Sequence, residues 1–157
     1  MKPYFGTEER IKALRFHAAE LVDTPFAAHA MVPGVGIDCV HVNAWCYLKT
    51  RLLTTFAPPQ YQLDEGQHAE ESKLIKWLRG AKEFRELDAL SPGQWIAPGD
   101  TICFDVGKSE FHVGLMLDRQ HFIHVLAMHR GRVIISNIVT EVYYARRLRS
   151  VFRPIDP

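Results

Sequence analysis

With 157 residues, 47% of them hydrophobic and 24% charged, the chain is long enough for one domain with a packed core and too apolar for a disordered segment. Its 19 Lys and Arg against 18 Asp and Glu leave a net charge of +1, which excludes the basic excess of a dedicated nucleic-acid binder. Three cysteines, Cys39, Cys46 and Cys103, form neither a paired framework nor a Cys-x-x-Cys, so a disulfide scaffold is excluded and a reducing compartment is implied. No apolar run approaches the ~18–20 residues of a membrane span. Met1 to Arg15 lacks the apolar block and small-residue cleavage site of a secretory signal, so the expectation is a protein made in the cytoplasm.

Thr7 is placed to cap a first helix with an acidic first turn, Glu8 and Glu9. Ile11, Leu14, Ala18, Leu21 and Val22 recur on one face, and Asp23-Thr24-Pro25 ends the pattern. A loop through Met31-Val32-Pro33-Gly34 leads to Cys39, after which the apolar run Val40 to Tyr47 predicts a helix to about Leu53. Pro58-Pro59 breaks the chain, and Gln60 to Gln67 reads as a polar loop. Leu74, Ile75, Leu78, Ala81, Phe84 and Leu87 mark another helical stretch. Beyond Ser91-Pro92-Gly93 the pattern turns to strands. Pro98-Gly99-Asp100 is a turn into Thr101 to Val106, followed by Phe111 to Leu117, His121 to Met128 and Arg132 to Ile138, with Val142 to Phe152 partly extended. Helices first and an antiparallel sheet afterwards make the class α+β, with residues 1–157 as a single domain and no internal repeat. The basic cluster Arg146, Arg147, Arg149 and Arg153 reads as a solvated edge strand or tail, with a phosphate-binding patch as the alternative.

The chemistry centres on Gly34-Val35-Gly36-Ile37-Asp38-Cys39. A flexible approach, an acid and a thiol before a helix place the sulfur at a helix N-terminus, where unpaired amides and the dipole favour thiolate. His112 on the Phe111–Leu117 strand is the candidate base. If Asp118-Arg119-Gln120 is a three-residue hairpin loop, Leu117 pairs with His121 and His124 lies opposite Gly114. His112 and His124 are then diagonal neighbours on one sheet face, and Gly114 leaves room for the imidazole. A loop one residue longer or shorter would send the two histidines to opposite faces. Cys39 as nucleophile, His112 as acid/base and His124 as orienter make a thiol hydrolase, with the Cys39 amide aimed at the oxyanion. Asp38, next to the nucleophile, suits either gripping a substrate ammonium group or bracing the loop. A small buried core cysteine is the competing reading of Cys39, as it is the natural one for Cys46 and Cys103. A zinc site from His121, His124 and His129 with Cys103 or Cys39 is the other chemical class. It is disfavoured because His121 and His124 alternate across a regular strand, and the expectation is no metal and no cofactor.

In this order and spacing, several segments resemble the NlpC-type cysteine peptidases, papain-like enzymes that cut peptides of bacterial cell walls. Thr24-Pro25-Phe26 resembles the family's Gly-Thr-Pro-Tyr opening, and Gly34 to Cys39 its nucleophile loop. Pro98-Gly99-Asp100 resembles the turn before the first core strand, His112-Val113-Gly114 the base-bearing strand, Phe122-Ile123-His124 the strand of the third catalytic residue, and Tyr144 to Leu148 the closing segment. The likeness points to the branch of tailed phages and gene-transfer agents. It implies a papain-like fold, a Cys39–His112–His124 triad, and cleavage near a γ-D-glutamyl–diamino acid bond of peptidoglycan stem peptides. It also implies Asp38 on the substrate's free amine, and virion or tail proteins as partners. Two departures stand out. Phe26 replaces a Tyr whose hydroxyl assists near the active site, and His41 stands at a position the family keeps small, where it narrows the site or supplies a second imidazole. The rival functions are an amidase or acyltransferase using the same Cys-His pair, and an inactive tail-assembly component.

Overall fold

A computed structural model describes residues 1–57, 73–88, 95–106, 109–127 and 131–156, with residues 106 and 109–111 described by their backbone alone. The expected Pro58-Pro59 break, the Gln60–Gln67 loop, Ser91-Pro92-Gly93, Met128 and His129 lie outside the described residues. The first helix, α1 (Glu8–Ala19), begins where Thr7 accepts a hydrogen bond from the Arg10 amide, and it buries Leu14 and Ala18. Leu21 is also buried, but Val22 is 41% exposed, because the helix has ended before it.

The stretch before Cys39, expected as a plain loop, is a small hairpin of β1 (Met31–Val32) and β2 (Gly36–Ile37). Val32-Pro33-Gly34-Val35 closes it, with Gly34 at φ +77 and the Val35 amide on the Val32 carbonyl, the geometry a Pro-Gly turn provides. Helix α2 (Cys39–Lys49) follows. It stops short of Leu53 because Thr50 turns its hydroxyl onto the Cys46 carbonyl (2.7 Å) and Arg51 adopts φ +64.

The next helix, α3 (Lys73–Gly80), is shorter than the apolar spacing suggested. Phe84 and Leu87 belong instead to a strand, β3 (Phe84–Leu87), that pairs with the last strand. Strands β4 (Thr101–Val106), β5 (Ser109–Met116), β6 (His121–His124) and β7 (Ile134–Asn137) follow. A short helix, α4 (Val142–Ala145), then leads into β8 (Leu148–Pro154). The six-stranded antiparallel sheet runs β3-β8-β4-β5-β6-β7. β8 is therefore an interior strand and not an edge or tail. Its Arg153 is locked in a two-pronged pair with the buried Asp100 carboxylate (2.9 and 2.7 Å), and Arg149 pairs with Asp105.

Strand alternation splits the core in two. Val113, Leu115, Leu117 and Ile123 face α1 and α2 and pack with Leu14, Val42, Cys46 and Tyr47. On the other face Ile102, Phe104, Met116, Phe122 and Val151 pack with Tyr144 of α4. The hairpin between β5 and β6 has the expected register, with Leu115 opposite Ile123 and Met116 opposite Phe122. The loop holds it without glycine, because the Asp118 carboxylate accepts from the amides of Gln120 and His121 (both 2.7 Å).

Candidate active site

Asp38 caps α2. One carboxylate oxygen accepts from the His41 amide (2.9 Å) and lies 2.7 Å from His41 Nδ1; the other accepts from the His29 amide (2.6 Å). The carboxylate is fully buried and both oxygens are engaged inside the chain, which suits bracing the loop that leads to Cys39 more than receiving an external amine. His41 stands beside it with its ring edge-on to Phe56. Phe26 flanks the same loop by bridging to Ile37, two residues before the thiol, and its amide donates to the Gly131 carbonyl.

At the start of α2 the backbone amides of Val113, Val40 and Cys39 itself act on the Cys39 sulfur, each favouring its charged form. The Val113 amide belongs to the peptide bond that follows His112, so the sulfur is near the backbone of the strand that carries His112. Among the described residues no hydrogen bond joins the sulfur to a ring nitrogen of His112. The charge state also differs from the sequence-based expectation. Burial pushes the Cys39 thiol up to about 12, and the neighbouring Asp38 charge adds to the rise, while the three amides pull against it. Cys39 is only 7% exposed, and here desolvation outweighs the helix terminus. The resting group is a thiol.

His112 and His124 meet as the hairpin register requires. His112 Nε2 lies 2.9 Å from His124 Nδ1, and His124 Nε2 lies 2.8 Å from the Ser136 hydroxyl on β7. Phe104 stacks on the His112 ring, while Phe122 and Tyr144 pack on His124. Burial pushes His112 down to about 3, helped by the charge of His124, and pushes His124 down to about 4. Both imidazoles are neutral at physiological pH, so each carries one N–H and one bare nitrogen. The space above Gly114 is taken by Phe122 rather than by an imidazole: a Cβ there would meet the Phe122 ring at 2.7 Å.

Ser136 is the one group in this chain of contacts without a motif to announce it. Only the β6–β7 register, Phe122 opposite Ser136 and His124 opposite Ile134, reveals its place. His121, by contrast, points to solvent and is held by Asp118, well separated by strand alternation from the buried His124. Among the described residues no group of three or more His, Cys, Asp or Glu side chains is arranged to hold a metal ion. A cavity along α2 has Val40 and Val113 in its lining, together with Tyr47, Phe56, Trp77 and Phe84. It lies between α2, α3 and the sheet, and Cys39, His112 and His124 are not in its lining. Among the described residues no helix is long and apolar enough to cross a membrane.

No family model matches the chain, and no curated protein matches it. Solved structures do. An NLP/P60-family protein of Staphylococcus aureus, described as similar to lipoprotein, superposes with a TM-score of 0.63 at 17% identity, over 99% of this chain and 44% of that one. The fold is that of the NlpC/P60 proteins. It is α+β and papain-like, with N-terminal helices packed on a C-terminal antiparallel sheet. The NlpC/p60 domain of the peptidoglycan hydrolase SagA matches over 90% of this chain and 96% of its own length, with a TM-score of 0.53 at 15% identity. NlpC2 of Trichomonas vaginalis matches over 93% of this chain and 47% of that one, with a TM-score of 0.59 at 16% identity. The chain thus spans less than half the length of the Staphylococcus and Trichomonas proteins.

Proposed function

We propose that residues 1–157 form one peptidase domain that hydrolyses peptide bonds of bacterial peptidoglycan, with Cys39 as nucleophile, His112 as acid/base and His124 as its orienter. The observation that carries the reading is the hydrogen bond between His112 on β5 and His124 on β6, next to the Val113 amide that acts on the Cys39 sulfur, in a fold shared with a domain of a peptidoglycan hydrolase.

Because His112 uses Nε2 toward His124, Nδ1 is the ring atom left to serve the thiol. Attack of Cys39 Sγ on the scissile carbonyl carbon transfers the thiol proton to His112 Nδ1, and the amides at the head of α2 stabilise the oxyanion. The imidazolium then gives that proton to the leaving amine nitrogen as the C–N bond breaks, leaving a thioester on Cys39. Water attacks the thioester with His112 as base, releasing a carboxylic acid and restoring the thiol. Since the resting groups are neutral, the proton moves during attack rather than before it, and Sγ and Nδ1 come within hydrogen-bond reach with substrate bound.

The same reading takes the γ-D-glutamyl–diamino acid bond as the one cut and a phage tail or related device as the carrier. Phe26 and His41 flank the approach to the thiol. Asp38 serves by holding the loop that presents Cys39. Incubation of the purified protein with defined muropeptides tests the reading. New amino groups at the diamino acid, lost in Cys39→Ala, support it. Turnover only of lipid or protein amides favours an acyltransferase or amidase, and a protein inert toward all of these, with an unreactive Cys39, is an assembly component.

A further inference from the structure

A base facing a thiol through Nδ1 must carry its own proton on Nε2, and nothing in a lone imidazole enforces that choice. The buried contacts beyond His124 do. His124 makes two ring contacts, to His112 Nε2 at 2.9 Å and to Ser136 Oγ at 2.8 Å, and it has only one proton to share between them. Two arrangements satisfy both. In the first, His112 Nε2–H donates to His124 Nδ1 and His124 Nε2–H donates to Ser136, leaving His112 Nδ1 bare and able to accept the thiol proton. In the second, the Ser136 hydroxyl donates to His124 Nε2 and His124 Nδ1–H donates to His112, whose remaining proton then sits on Nδ1 and blocks it. The direction of a single serine hydroxyl therefore decides whether the base can work.

Ser136 is buried on β7 between the exposed Ile135 and the half-buried Asn137. Its further partner is the Tyr144 hydroxyl, from the helix whose ring packs edge-on against His124 with centroids 5.0 Å apart. Either hydroxyl of this pair can donate; with the Ser136 hydrogen on Tyr144, only serine lone pairs face His124, and the first arrangement results. We infer that Ser136, oriented by Tyr144, is a positioning residue that holds His112 in the tautomer with Nδ1 open to Cys39. This rests on the proposed roles of Cys39 and His112, but the tautomer itself can be read without any substrate.

The experiment is 15N NMR of the resting protein with ring-labelled histidine, on wild type and on Ser136→Ala, Ser136→Thr and Tyr144→Phe. Wild type is expected to show both His112 and His124 protonated on Nε2. In Ser136→Ala a buried His124 Nε2–H would have no acceptor, so the pair shifts toward Nδ1 protonation. Muropeptide turnover then falls by about tenfold or more in kcat with KM unchanged, the direction expected when a base is held in the wrong tautomer. Ser136→Thr keeps the hydroxyl and restores both readouts, while Tyr144→Phe shifts the tautomer part of the way. Wild-type His112 protonated on Nδ1, or an unchanged tautomer in a folded Ser136→Ala, overturns the inference. If the tautomers behave as stated but no muropeptide is cut, the positioning role stands and the proposed substrate falls.

Discussion

Acidification should weaken this protein before most of its carboxylates titrate, because two buried imidazoles are held neutral in the fold. Unfolded, His112 and His124 regain the ordinary value of 6.5; folded, burial pushes them down to about 3 and about 4. Between those limits the unfolded chain binds more protons than the folded one. Stability is therefore full above about pH 6.5 and is lost as pH falls toward the folded values. Each group contributes a slope of about 1.4 kcal/mol per pH unit in that window. From about pH 7.5 to about pH 5 the pair loses on the order of 4 kcal/mol, against a typical total of ~5–15 kcal/mol. Both side chains are essentially out of solvent, so screening does little to soften this. Glu20, Glu86 and Asp118, whose values are lowered by their partners, add their own losses only at more acidic pH. Urea unfolding followed by far-UV circular dichroism across this range measures the slope, and His112→Gln/His124→Gln provides the control. A midpoint that does not move between those pH values, or an equal slope in the double variant, refutes the reasoning.

Three further outcomes follow from the packing. Gly114→Ala drives a methyl group into the Phe122 ring, which packs on His124, so it should cost about 1–3 kcal/mol in thermal unfolding and perturb the His124 ring resonances. Arg153→Ala leaves the Asp100 carboxylate buried without its cation and should cost about 3–5 kcal/mol, whereas Arg149→Ala, at an exposed pair, should change stability by less than about 1 kcal/mol. Asp38→Ala removes the acceptor for the His29 and His41 amides and should slow muropeptide turnover by loosening the nucleophile loop. Asp38→Asn, which keeps an acceptor oxygen, should retain more of that turnover; equal loss in both would assign Asp38 a role that depends on its charge.

Local signals carried much of the architecture. Thr7 is a helix cap by residue type, Pro98-Gly99-Asp100 leads straight into β4, and the length of the Asp118–Gln120 loop was enough to set the register that joins His112 to His124. What failed depended on distant partners. Phe84 and Leu87 keep a helical spacing to Leu78 and Ala81, yet they form a strand because β8 lies alongside to pair with them. The arginines of β8 read as a solvated edge strand or tail, since nothing near Arg153 in the chain announces Asp100 as its partner. The thiol's charge state was misread for the same reason. The dipole of α2 is a local property, while the desolvation that outweighs it comes from the sheet brought in by the fold. Ser136 and Tyr144 were invisible as site residues, because a serine in an apolar strand acquires meaning only from the strand beside it.

As the proposed nucleophile, Cys39 makes and breaks a bond to the substrate's acyl group. Rapid acid quenching of the protein with excess muropeptide, followed by mass spectrometry of its peptides, looks for that bond directly. The prediction is an acyl adduct on the peptide bearing Cys39, absent from Cys39→Ala and accumulating in His112→Ala only slowly if at all. Muropeptide cleavage that proceeds undiminished in Cys39→Ala would contradict it.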